Sequence, residues 1–183
     1  MNTFTIEVQD TEVRALLKRL HATSVNMQPI YQDIGEGIME RTKQRFSTGI
    51  GPDGIKWLPN AQATYAILAN RLGKSSLGKD GRVNKKGASK LANKKPLIGE
   101  TGNLARQFHV LSTNHSVTIG NSMIYAAIQQ FGGQAGRNKK VTIPARPFLP
   151  VMINGQLYPQ EQQSILNTLN AHLDDVINGR FGN

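Results

Sequence analysis

Two prolines three residues apart, Pro144 and Pro147, set the hardest limit on this chain. A residue before proline is pushed out of the helical region, so Ile143 and Arg146 must both be extended. No helix can therefore cross Val141-Thr142-Ile143-Pro144-Ala145-Arg146-Pro147-Phe148-Leu149. Upstream, the apolar run Tyr125-Ala126-Ala127-Ile128-Gln129-Gln130-Phe131 reads as a helix that stops on the pair Gly132-Gly133. A helix, a glycine stop, a short basic break and a stiff extended arm make a rigid corner that presents a surface. Arg146 leaves that arm from a backbone with little entropy left to lose, and its planar fork suits a carboxylate or a carbonyl. Two roles stay open to it: pinning its own subunit's loop, against Glu100 or a helix C-terminus, or reaching another subunit.

The remaining elements supply a core for that corner. Phe4, Ile6 and Val8 alternate with polar residues as in a short strand, and Asp10 then caps an amphipathic helix marked by Val13, Leu16, Leu17 and Leu20. A second helix runs from about Met27 to Phe46, with Pro29 in its first turn and Ile30, Ile34, Ile38 and Phe46 as apolar marks. Its internal Gly35 and Gly37 each cost about 1 kcal/mol against alanine and suggest a close helix crossing. Gly51-Pro52-Asp53-Gly54 meets the demands of a type I turn and delivers Trp57, the one tryptophan, to the edge of the core. Residues 61–72 read as a helix with Ala, Ile and Leu inward, and Thr101 to Arg106 as a short capped helix. Phe108 to Leu111 and Ser116 to Ile119 read as a hairpin. Ser122 is placed to cap the corner helix. Pro159 opens a final helix striped by Ile165, Leu166, Leu169, Leu173, Val176 and Ile177 and ended at Gly179. The expectation is one α+β domain over residues 1–183: a small antiparallel β-sheet flanked by N-terminal helices and a C-terminal helix, with a long basic loop.

That length is enough to bury roughly two-thirds of the unfolded surface without staples. None of the usual staples is on offer, because the chain has no cysteine for a disulfide, a thiolate metal site or a thiol nucleophile. The opening residues lack a secretory pattern and no apolar run approaches the ~18 residues of a membrane span, so a soluble protein without membrane contact is expected. Lys and Arg number 22 against 12 Asp and Glu, a formal charge of +10 that favours acidic partners, nucleic acid above all.

Much of that charge lies between residues 73 and 96, where Lys74, Lys79, Arg82, Lys85, Lys86, Lys90, Lys94 and Lys95 face Asp80 alone among glycines and serines. Low hydrophobicity with high charge predicts a mobile loop, or one ordered by a partner. It reads equally as a solvated surface and as an electrostatic contact with DNA or an acidic protein face. It contains no aromatic residue, which argues against single-strand stacking and for backbone contact without base reading.

Signs of catalysis are few. His21, His109, His115 and His172 fall on separate elements, and only His109 with His115 are placed to meet, across the hairpin. Leu72-Gly73-Lys74-Ser75 resembles the end of a phosphate loop but has Leu68 where the first glycine belongs, and no strand before it. The cluster Gly132-Gly133-x-x-Gly136 follows a helix instead of opening one. Asp53, Glu100 and Glu161 stand isolated, and no serine has a nucleophile-elbow context. No catalytic residue, metal or cofactor is assigned.

Four stretches taken in order resemble the phage virion morphogenesis family, the tail-completion type of contractile-tailed, Mu-like phages: Gly51-Pro52-Asp53-Gly54-x-x-Trp57-x-Pro59, Leu97-Ile98-x-x-Thr101-Gly102-x-Leu104, Tyr125-Ala126-x-Ile128-x-Gln130-x-Gly132-Gly133, and Ile143 to Leu149. The family often shows His-Gln where this chain has Gln129-Gln130, and glycine where it has Pro150. The resemblance implies a non-enzymatic virion protein of the tail end or neck that completes the tail and joins it to the head. It implies a ring of identical subunits, a hexamer or a dodecamer, against tail-tube, terminator or head-connector proteins, with DNA passing through. On that view Tyr125, Gln130, Arg146, Phe148 and Leu149 are corner or subunit-interface residues, and the basic loop faces the channel or a partner. The competing function is a free basic protein that contacts nucleic-acid phosphates without sequence specificity.

Overall fold

A computed structural model describes residues 11–178, with side chains from residue 14 onward. The strand expected at Phe4 to Val8, the Asp10 cap and the Gly179 stop lie outside them. Helices α1 (Thr11–Val25) and α2 (Gln28–Thr48) open the described chain. α3 (Gln62–Asn70) and α4 (Lys85–Ala92) follow, then the single turn α5 (Asn103–Arg106). Strands β1 (Phe108–Ser112) and β2 (Val117–Asn121) pair antiparallel, with Val110 opposite Ile119. The corner helix α6 (Ala126–Phe131) leads into β3 (Gly133–Ala135), which pairs antiparallel with β4 (Val141–Ile143), and α7 (Pro159–Ile177) closes the chain. The α+β class is as expected, with the strands divided between two two-stranded sheets.

α2 is the central element because its apolar residues recur every turn. Ile30, Ile34, Ile38, Thr42 and Phe46 are all buried, and Pro29 occupies the first turn, where its missing N–H costs nothing. Its first half packs with Val117 and Ile119 of β2 and with Ile165 and Leu169 of α7. Its last turn carries Phe46 into a second cluster with Trp57, Leu104 and Phe148. α1 lies along α7. Leu16 and Leu20 are half-buried there, while Leu17, Leu166 and Ile177 of the expected stripes stay exposed.

Gly35 does mark a close approach, but to the hairpin and not to another helix. A Cβ built there would lie 2.5 Å from Val110 Cγ1 and 2.6 Å from Val117 Cγ2, so β1 and β2 rest directly on the α2 backbone. Two helices are also less regular than their sequences suggested. Tyr125, with no side-chain cap, precedes α6 where Ser122 was expected to act, and the backbone N–H of Ser122 donates instead to Gln107 O at 3.1 Å. α3 buries none of its residues and leaves Ile67 55% exposed.

The basic segment, expected as a long loop, contains short elements of its own. A 3-10 turn at Lys74–Ser76 and a bridge between Leu77 and Val83 lead into α4, whose first turn is capped by the Asn84 side chain. Low hydrophobicity hid this helix. Its order comes from a cap and a close glycine contact, neither of which raises apolar content.

Candidate functional site

The four family-like stretches meet at one residue. Phe148 is 0% exposed and contacts Phe46 at a ring-centroid distance of 5.3 Å and Phe108 at 5.9 Å, while Phe46 meets Trp57 edge-on at 5.5 Å. Leu104 completes the buried cluster, with Leu97, Ile98, Ala126 and Leu149 packed around it.

Beyond β4 the extended arm through Phe148 belongs to no sheet, so its backbone groups need other partners. Arg146 N donates to Gln129 O at 2.8 Å, and side chains serve Pro147 to Leu149. Trp57 Nε1 donates to Pro147 O at 2.9 Å, and an Arg45 Nη donates to Phe148 O at 2.9 Å. Gln130, 2% exposed, accepts from Phe148 N and Leu149 N at 2.8 and 2.9 Å and donates to Leu149 O and Val151 O at 3.0 and 3.1 Å. One carboxamide thus uses both N–H groups and accepts twice, replacing a strand neighbour. Gly132 lets the arm come this close. Its φ is 74°, and a Cβ there would lie 2.9 Å from Ala145 N.

Within its own chain Arg146 pins a loop. Its Nε donates to Leu58 O at 2.8 Å and an Nη to Pro59 O at 2.7 Å, which pins the stretch after Trp57 to the arm. Burial alone pulls its pKa below the ordinary guanidinium value, and a guanidinium remains a cation at neutral pH. Glu100 is not its partner and lies 3.5 Å from Arg71. Beside the corner an open groove of about 660 Å³ runs between Pro59, Ile98 and Ile143, with Tyr125 43% exposed at its edge. Among the described residues the surroundings hold several uncovered apolar side chains, with Ile124 99%, Ile153 86% and Leu58 59% exposed.

Glu161, isolated in sequence, proves to be an anchor. It is 3% exposed at the start of α7 and takes both Arg41 and Arg45, the latter at 3.0 Å. Arg45 therefore ties α7, α2 and the arm through Glu161 and Phe148 O. The signal available beforehand was an i, i+4 arginine pair on a helix otherwise marked by isoleucine, plus an acid in a first turn. His109 and His115 do not form a pair. His109 lies over Gly120 on the neighbouring strand and His115 sits in the turn, while His172 Nε2 is 2.8 Å from Asp33 Oδ2. Among the described residues no group of three or more His, Asp and Glu side chains could hold a metal ion, and no helix is long and apolar enough to cross a membrane.

The basic residues form a separate face. Lys74, Lys79, Lys85, Lys86 and Lys90 are exposed, whereas Lys95 donates to Ser47 O at 2.7 Å and Lys94 to Ile98 O. Those last two fasten the segment back to the corner.

Fold and corner together define a small α+β scaffold in which the buried Gln130 and Arg146 side chains serve the chain's own backbone. The chain belongs to the phage virion morphogenesis family, which matches residues 8–174. It is 40% identical over 82 residues to the Mu-like prophage FluMu G protein 2 of Haemophilus influenzae, a match covering 45% of this chain and 54% of that one. The chain thus aligns with about half the length of this relative. No solved structure matches.

Proposed function

We infer that this virion morphogenesis protein is a non-enzymatic subunit of the tail end or neck, assembled with copies of itself into a ring that completes the tail and joins it to the head. Its neighbours in this reading are tail-tube, terminator or head-connector proteins, and its place is the virion, reached by assembly in the host cytoplasm. The observation that carries the reading is the convergence of four separated stretches on Phe148. They spend Trp57, Leu104, Gln130 and Arg146 on stiffening one corner, and leave apolar groups such as Ile124 and Ile153 uncovered beside it. A braced corner with an apolar rim suits repeated packing against identical or neighbouring subunits.

The test is imaging of particles made with and without the protein, together with Ile153→Asp. That residue is exposed on a turn, so the variant should fold with unchanged thermal stability yet fail to enter particles, leaving tails unjoined. Tails that complete and join without the protein would sink the reading. A free nucleic-acid-binding protein would instead remain a monomer or dimer and be absent from particles.

A further inference from the structure

The most basic segment is a built lobe. Asn84 sits at its centre, donating to Ser75 O at 3.2 Å and Leu77 O at 3.1 Å, and accepting from Gly87 N at 3.0 Å. Its own N–H donates to Ser76 O at 3.1 Å. A Cβ on Gly87 would lie 2.4 Å from Ser76 O and 2.7 Å from Val83 Cγ1, so α4 rests directly on the 3-10 turn. The lobe therefore holds its cations at set positions instead of scattering them along a coil.

These cations are uncompensated. Lys74, Lys79, Lys85, Lys86 and Lys90 are exposed, and their ammonium groups make no hydrogen bond or ion pair among the described residues. The one acid between residues 74 and 95, Asp80, is 3.8 Å from Arg82. Like charges on a folded surface repel one another, and a regularly spaced polyanion relieves that repulsion while releasing its own counterions. Lysine acts on phosphate as a point charge, and the lobe has no aromatic residue on which an unpaired base could stack.

We propose that the lobe over residues 74–92 is a contact site for the phosphate backbone of duplex DNA, independent of base sequence. It goes beyond the assembly role: DNA binding is read on the free protein, so each idea can fail alone.

The experiment measures binding of the full chain to a random-sequence duplex by fluorescence anisotropy across a salt series. The expected result is a log-linear fall of affinity with salt. Changing Lys74, Lys79, Lys85, Lys86 and Lys90 to Gln should weaken low-salt binding at least about tenfold and flatten the slope by about 0.9 for each contacting lysine. Asn84→Ala keeps every charge but frees the lobe, and should weaken duplex binding several-fold. A single strand of equal length should bind less well than the duplex. Unchanged affinity in the lysine variant overturns the proposal, and so does unchanged affinity in Asn84→Ala. Poly-glutamate competing as well as duplex would assign the lobe to an acidic protein and overturn it too.

Discussion

The side-chain oxygen of Gln130 accepts the backbone N–H of Phe148 at 2.8 Å, and through this bond the corner helix holds the most buried ring among the described residues. The same carboxamide satisfies Leu149 N, Leu149 O and Val151 O. Gln130→Leu keeps the bulk and strands all four groups. Each unpaired buried group costs about 1–3 kcal/mol, and a shift that admits water recovers part, so a loss of about 3–5 kcal/mol is expected. Gln130→Glu keeps the accepting oxygen but puts a second oxygen where the N–H donors faced Leu149 O and Val151 O, and should fall between the parent and Gln130→Leu. Urea unfolding at an unchanged slope measures both.

Arg146 is a weaker brace because its acceptors lie on exposed residues, Leu58 and Pro59, which water can reach once the guanidinium is gone. Arg146→Ala should cost about 1–3 kcal/mol. Arg146→Lys should recover less than half, since one ammonium cannot reproduce a fork. If Arg146→Ala left both stability and particle incorporation untouched, its role in the corner would be lost.

Gly35 poses a contest between backbone and packing. Alanine there gains about 1 kcal/mol of helix propensity but drives a methyl into Val110 and Val117, an overlap worth about 1–3 kcal/mol. Gly35→Ala should therefore be destabilising on balance. Val110→Ala should make room for the methyl, so the double variant ought to be more stable than the two single losses summed, by more than about 0.5 kcal/mol. Strict additivity would mean that the hairpin does not rest on this glycine.

Tyr158 gives the pH dependence. Burial, and then the negative charge of Asp53, hold its phenol above the usual value of 10.0. The folded state keeps this proton more tightly than the unfolded chain does. The contribution is thus complete below the unfolded value near 10 and is lost as pH rises through the folded one. Stability should decline above about pH 10 more steeply in the parent than in Tyr158→Phe, as read from paired melts. Parallel profiles would remove Tyr158 as the cause.

What could be read in advance follows the range of the physics. Ile30, Ile34, Ile38 and Phe46 announce α2 because periodicity is local, and Pro144 with Pro147 announce the extended arm for the same reason. The strand β3 stayed hidden because Gly133-Gln134-Ala135 contains no β-branched or aromatic residue. α4 stayed hidden because Asn84 and Gly87, not apolar content, hold it. In the corner, Arg146 and Phe148 drew attention through the prolines beside them. The partners of Arg146, at Leu58 and Pro59, are 88 and 87 residues away and could be named only after folding.

The anchor at Glu161 shows the same distance effect most sharply, since its arginines lie 116 and 120 residues upstream. Removing one partner of a buried ion pair costs about 3–5 kcal/mol because the remaining charge stays desolvated. The three members should nevertheless differ. Glu161→Ala abandons two cations and should sit at the upper end of that range. Arg45→Met leaves Glu161 with Arg41 but also frees Phe148 O, and should cost less. Arg41, whose side chain is 34% exposed, is partly hydrated and gives up least desolvated pairing, so Arg41→Met should cost least. Arg45 alone reaches both α7 and the arm, so only its loss and that of Glu161 should also raise hydrogen exchange at Phe148 N and Leu149 N. An order in which Arg41→Met proved most costly would place the anchor outside the corner and break the link between α7 and Phe148.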